Sequence, residues 1–192
     1  MKAIMISIKP KYVADILNGK KTIEIRKTIP QEYLDYCIDS DKKVPIEVYI
    51  YCTKEKPFIT GIYNHEHKIV YGDIENKKRN VNGKVVAKFT LNNVEDFYNL
   101  DNISLAMACL TKEELNNYLK GKIGYAWHID NLEIFDKPKE LSEFNKPLDN
   151  FDGINCWRCR YVKKCSFNCD KKCELLKITK APQSWCYVEK EM

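Results

Sequence analysis

Residues 19–27 read GKKTIEIRK. Five of these nine residues are charged, a composition more typical of a loop. Their order points elsewhere. Ile23 and Ile25 alternate with Thr22, Glu24 and Arg26, the period of a strand with one apolar and one polar face. That pattern turns the two isoleucines into a core and Glu24 and Arg26 the other way. A carboxylate and a guanidinium two residues apart, just after a lysine pair, form either a solvated edge, where such an ion pair contributes about 0–1 kcal/mol, or a site.

Working outward, AIMISIK (3–9) alternates with Ile4, Ile6 and Ile8 on one face and predicts a first strand. Pro10 opens a short helix that carries Val13, Ile16 and Leu17 on one side, and Gly19 closes it. IEVYIYC (46–52) puts Ile46, Val48 and Ile50 on one face and Glu47, Tyr49 and Tyr51 on the other. Residues 53–82 are charged and irregular, as in a long insertion with some strand. GKVVAKFTL (83–91) predicts a strand with Val85, Ala87, Phe89 and Leu91 facing in. LTKEEL (110–115) is a capping box, with Thr111 as N-cap, Glu114 three residues on, and Leu110 and Leu115 as a hydrophobic staple. YAWHI (125–129) and LEIF (132–135) read as two strand pieces broken at Asp130–Asn131.

Short strands, two short helices and no regular βαβ alternation predict an α+β fold whose mixed sheet curls into a small barrel. Pro138, Pro147 and Gly153 mark a linker, so the expected organisation is a barrel domain over 1–146 and a cysteine-rich tail over 147–192 packed on it.

The chain has 192 residues, 44% hydrophobic and 31% charged, which suits a globular protein that needs no metal or disulfide merely to have a core. Its formal charge of +5 is confined to residues 151–180, so the remainder sums to zero and only the tail is a basic surface. MKAIMISIKP shows no secretion signal, and no apolar run approaches the ~18 residues of a membrane span. Nine cysteines without such a signal predict a reducing cytoplasm, with metal ligation before disulfides.

Gly19, Lys21, Glu24 and Arg26 stand at the spacing G-x-K-x-x-E-x-R. With SIKPKYVADILNGKKT before it, and with YIYCT, GKVVAKF and GYAWHIDNLEIFDKPKELSEF after it, this stretch resembles the ASCH domain of the PUA-like β-barrel superfamily over residues 3–144. APQSWCYVE (181–189) is similar to the end of a phage- and bacterium-associated ASCH subgroup. The resemblance implies a small barrel with a cleft that binds RNA or modified nucleotides. In that cleft Arg26 and Lys21 would hold a phosphate or a base edge, and Glu24 would orient Arg26 or accept from an exocyclic amine. Thr22 shares the face of Glu24 and Arg26, whereas Lys21 has the other parity and reaches over from the start of the strand.

One branch of the family hydrolyses the acyl amide of N4-acetylcytidine, and the resemblance to it implies a threonine nucleophile, a lysine base and a more distant glutamate. Lys21 stands at the lysine position, but Glu24 occupies the nucleophile position. A glutamate there cannot form the acyl-enzyme by hydroxyl attack, although it can activate a water. Lys21 and Glu24 are therefore the catalytic candidates if the chain is an enzyme, with Glu47 and Glu75 as candidates for the distal carboxylate. A protein-interaction adaptor is a third class.

Aromatic residues supply the other candidates. PUA-like clefts sandwich a base between rings, and stacking contributes about 1–3 kcal/mol per base. Trp127, Trp185, Tyr49 and Tyr51 are available, but Trp127 shares the parity of Ile129 and is equally a core residue. His128 faces the opposite way, either lining the cleft or hydrogen-bonded as a structural histidine. His65 and His67 read as a solvated loop or a weak chelator.

In the tail, Cys156, Cys159, Cys165, Cys169 and Cys173 form C-x2-C-x5-C-x3-C-x3-C, with Cys186 further on. The x2 pair makes one chelating turn and later cysteines complete a tetrahedron, the pattern of structural Zn²⁺. The same run also resembles auxiliary iron–sulfur cluster segments. A tail without metal is the remaining reading, and the spacing does not select which four cysteines ligate. Cys37, Cys52 and Cys109 lie in apolar patterns and are expected to be plain buried thiols.

Overall fold

The alternation in AIMISIK becomes β1 (Lys2–Ile8), which is buried on both faces: Ile4, Ile6 and Ile8 enter one apolar cluster, Ala3 and Met5 another. The computed structural model describes residues 2–31, 33–34, 45–63, 66, 68–75, 80–97, 102–147 and 177–189. β1 pairs in parallel with β3 (Ile46–Cys52) and antiparallel with β10 (Trp185–Glu189). β6 (Val85–Leu91) and β9 (Asp130–Lys139) complete a five-stranded sheet of order β10-β1-β3-β6-β9. Trp185–Glu189, which the sequence division at 146/147 assigns to the tail, is thus the edge strand of the main sheet. Residues 148–176 lie outside the described residues.

The opening stretch becomes β2 (Ile23–Arg26), which pairs antiparallel with β8 (Gly124–His128), itself paired with β7 (Val94–Phe97). Two corners carry the chain between this three-stranded sheet and the five-stranded one. Asn92 and Asn93 separate β6 from β7, and Ile129 alone separates β8 from β9. The second corner falls one residue before the expected break, and Asn131 just beyond it takes a left-handed φ of 48°, which asparagine tolerates better than most residues.

The corners set the sheets face to face. The cluster between them holds Ile4, Ile6, Val48, Ile50, Phe89 and, from β8, Trp127. α2 (Asn102–Met107) and α3 (Lys112–Leu119) cover the other side of the three-stranded sheet, where Leu105, Leu115 and Leu119 pack on Ile23, Ile25 and Ala126. The period of two in IEIR therefore holds, but its apolar face lies under helices, and Glu24 and Arg26 turn toward the space between the sheets. β2 has no solvent face: all four of its residues are buried.

Local sequence accounts for most of the rest. α1 (Pro10–Leu17) starts at its proline and buries Val13, Ile16 and Leu17. The Thr111–Glu114 capping box forms, with reciprocal bonds of 3.1 and 2.8 Å. The charged insertion contains the hairpin β4 (Ile59–Tyr63)–β5 (Ile69–Asp73), tied to the end of α1 by the Asn18 amide, which donates to the Tyr71 carbonyl and accepts from its N–H, both at 2.8 Å. Two parities differ from the sequence reading. A register irregularity between Val85 and Ala87 turns Val85 to the outer face of the five-stranded sheet, as a β-bulge does. Tyr49 and Tyr51 are not polar-side residues: they fill the second core on that outer face, where Tyr49 meets Phe144 edge-on at 4.9 Å.

Cys52 ends β3 fully buried, and burial pushes its thiol up to about 12. Burial also raises the Tyr51, Tyr71 and Cys186 groups. An unfolded thiol ionises near its ordinary value of 9.0, whereas the folded chain keeps Cys52 neutral, so unfolding releases a proton above that pH. The contribution of Cys52 to stability is expected to be level below pH 9.0 and to fall as pH rises from 9.0 to about 12. Urea unfolding at a series of alkaline pH values measures this, and an unchanged midpoint across that window would contradict it.

Candidate functional site

The three charged side chains of the opening motif come together and are almost completely buried: Lys21 is 2%, Glu24 8% and Arg26 5% exposed. Glu24 holds the two cations apart and bound. Its Oε2 lies 3.3 Å from Lys21 Nζ and its Oε1 3.0 Å from Arg26 Nη2. Lys21 has the wrong parity to share the strand face, but it precedes β2, and its long stem carries Nζ across to Glu24.

Each cation is also anchored to a separate element. Lys21 Nζ donates to the Ala108 carbonyl at 2.7 Å, in the turn between α2 and α3. Arg26 Nη2 donates to the Ser7 carbonyl at 2.9 Å, at the end of β1. Its Nη1 reaches the Ser184 carbonyl and hydroxyl, both at 3.3 Å, just before β10. The motif thus ties the helical layer to both sheets, which fixes the guanidinium plane in advance of any ligand. The cluster has a formal charge of +1.

Several donors on the same face stay unmatched. Arg26 Nε, Trp127 Nε1 and Thr22 Oγ1 are buried and have no hydrogen-bond partner among the described residues. Trp127 stands directly opposite Glu24 in the β2–β8 ladder, so it shares the face of Glu24 and Arg26. Its ring is fully buried, 6.1 Å from that of Trp185, whose Nε1 donates to Thr28 Oγ1 at 2.9 Å.

The register separates the remaining candidates. His128 pairs with Ile23, on the opposite face from the cluster, with Nε2 3.1 Å from Glu95 Oε1 but not aligned for a hydrogen bond. Glu47 lies on the outer face of the five-stranded sheet, 3.5 Å from Lys88, and Glu75 is exposed, so neither joins Lys21. No base hydrogen-bonds the Thr22 hydroxyl among the described residues. Tyr49 and Tyr51 belong to the second core. Cys52 is the buried thiol expected of it, whereas Cys109 is partly exposed. His65, His67, Cys37 and the five tail cysteines Cys156, Cys159, Cys165, Cys169 and Cys173 lie outside the described residues.

Sequence reasoning missed two tyrosines. Tyr12 on α1 has Lys21 Nζ 5.3 Å from its ring centroid, and Tyr118 on α3 has Lys27 Nζ at 4.7 Å. Burial raises both phenols, with Glu114 and then Glu24 adding to the shift at Tyr12, and Arg26 opposing it at Tyr118. The only signal for them was indirect: each is an aromatic beside the apolar stripe of a short helix.

No family model and no curated protein sequence matches the chain. Solved structures do. The ASCH protein from Zymomonas mobilis matches at 17% identity over 98% of this chain and 88% of its own, with a TM-score of 0.49. The N-terminal domain of Staphylothermus marinus McrB matches at 8% identity over 73% of this chain and 77% of its own, with a TM-score of 0.41. A tyrosine-to-phenylalanine mutant of the Zymomonas protein matches at 17% identity over 99% of this chain and 92% of its own, with a TM-score of 0.50. The chain therefore has a mixed α+β, mostly stranded fold like that of the Zymomonas ASCH protein.

Proposed function

We propose that the chain binds RNA or a nucleotide-like ligand through Lys21, Glu24 and Arg26. The observation that carries this reading is the buried, pre-oriented cation–carboxylate–cation cluster with unmatched donors beside it. A buried hydrogen-bonding group left unmade costs about 1–3 kcal/mol, so a ligand rich in acceptors, such as a phosphate or a base edge, recovers that cost on binding. The ASCH-like fold agrees with the function that the sequence motif implies. Glu24 has both oxygens engaged by cations, an arrangement that orients a ligand rather than attacking one.

Fluorescence anisotropy with a labelled single-stranded RNA tests the reading. Arg26→Lys loses the planar fork and is expected to weaken binding roughly tenfold or more, while Lys137→Gln on exposed β9 leaves it unchanged. Absence of RNA binding at low salt would overturn the proposal, and release of acetate from N4-acetylcytidine would favour the hydrolase reading. We further propose a cytoplasmic protein with structural Zn²⁺ on the tail cysteines, the iron–sulfur cluster being the alternative. Metal analysis with an absorption spectrum distinguishes the two.

A further inference from the structure

Lys21, Glu24, Arg26 and the Trp127 ring are closed off from solvent: none of the four is more than 8% exposed. The segment that leaves β2, Lys27 to Gln31 with Tyr33, belongs to neither sheet but joins their edge strands. On the β10 side, Thr28 Oγ1 accepts from Trp185 Nε1 at 2.9 Å, and the Tyr187 hydroxyl accepts from the Gln31 N–H at 3.3 Å. On the β7 side, the Tyr33 hydroxyl donates to the Val94 carbonyl at 3.1 Å and accepts from the Val94 N–H at 3.0 Å. Both anchors are neighbours of Trp127. The Trp185 ring lies 6.1 Å from its ring, and Val94 is its partner in the β7–β8 ladder. Tyr33, Val94, Trp185 and Tyr187 all pack on the apolar cluster that contains Trp127. The segment thus passes from one neighbour of Trp127 to the other.

We infer that Lys27 to Gln31 with Tyr33 form a lid over the face that carries Trp127, Glu24 and Arg26, latched by the Thr28–Trp185 and Tyr33–Val94 bonds, and that a ligand reaches this face only when the lid opens. The inference rests on the proposed function and adds how access to that site is controlled. A site whose two cations and carboxylate are all out of solvent admits nothing while closed, so a binding role requires an opening. The latches are the bonds that can give. Thr28 and Gln31 are exposed, so water replaces their bonds at little cost, whereas Pro30 between them is buried and resists opening. The Tyr33 hydroxyl holds both outward polar groups of Val94, which an edge strand otherwise offers to water. Such a lid keeps water from the cluster and lowers the apparent affinity by the fraction of molecules that are closed.

Exchange of the Trp127 Nε1–H with deuterated solvent, followed by NMR, reports the lid without any ligand, and its resonance is the indole signal lost in Trp127→Phe. In the parent it is expected to exchange faster than the slowest backbone amides of β1 and β3, which open only on unfolding. Thr28→Val and Tyr33→Phe remove latch bonds and keep the side-chain shape. Each is expected to speed the indole exchange roughly fivefold relative to the β1 and β3 amides, and the double variant roughly tenfold or more. Thr53→Val, which removes an exposed hydroxyl bond to Glu55, leaves that ratio unchanged. Labelled single-stranded RNA is then expected to bind the double variant more tightly than the parent, by the factor seen in exchange, although contacts have been removed. Circular dichroism melts establish that each variant is folded, and either single variant carries the same test where the double variant does not fold. Indole exchange that tracks the β1 and β3 amides in every variant, or accelerated exchange with RNA affinity no higher than the parent's, overturns the lid and leaves the binding function standing. Accelerated exchange in a protein that binds no RNA overturns the binding function and leaves the opening movement standing.

Discussion

Glu24→Gln is expected to destabilise the protein by about 3–5 kcal/mol, a fall in Tm on the order of 10 °C. The size follows from what remains. Lys21 and Arg26 are 2% and 5% exposed, and the carboxylate between them is their shared counter-charge. The amide offers an acceptor to one cation but turns an N–H₂ toward the other, and leaves two positive charges out of water. The two kinds of substitution are unequal. Lys21→Met leaves Glu24 paired with Arg26 and should cost less than Glu24→Gln, although its side chain is the more buried. Adding Lys21→Met to Glu24→Gln removes one of the stranded cations, so the double variant is expected to be more stable than Glu24→Gln alone, a coupling that a double-mutant cycle reads directly. Because the cluster is buried, adding salt should change the loss little. A loss below about 0.5 kcal/mol in urea unfolding would show that the cluster behaves like an exposed ion pair.

The motif GKKTIEIRK disclosed its strand, its period and the residues that meet, because all three are local. Alternation fixes which residues share a face, and a lysine just before a strand can reach across it whatever the tertiary fold. What the motif could not disclose was the layer on each side. Ile23 and Ile25 would alternate identically whether they faced a barrel interior or, as here, two helices supplied by residues 102–119. The same limit explains Tyr49 and Tyr51. Their parity was correct, but a strand in a sheet covered on both faces has no polar side, and the cover comes from Phe144, Ile178 and Val188, distant in sequence. The anchors of Arg26 at Ser7 and Ser184 are invisible for another reason: two of the three bonds go to backbone carbonyls, which carry no residue signature. Tyr12 and Tyr118 were hidden because an aromatic beside a helix's apolar stripe reads as packing.

Trp127 joins the core and the site, and two substitutions separate those roles. The ring is fully buried in the cluster between the sheets, so Trp127→Ala is expected to cost about 3–5 kcal/mol in stability whether or not the protein binds anything. Trp127→Phe keeps an aromatic ring and removes the one polar atom, the Nε1–H that has no partner among the described residues. Its effect on the free protein combines two opposed terms, a small cavity against relief of an unmatched buried donor, and the net change is expected to be a minor fraction of the alanine loss. RNA affinity then reports the second role. Trp127 lies opposite Glu24, on the face of the β2–β8 ladder that also carries Arg26. An N–H that donates to bound ligand should make Trp127→Phe weaken RNA binding roughly tenfold at nearly unchanged Tm. Equal affinity in the two proteins would assign Trp127 to the core alone, and the donor for the ligand would then be sought at Arg26 Nε, which also has no partner among the described residues.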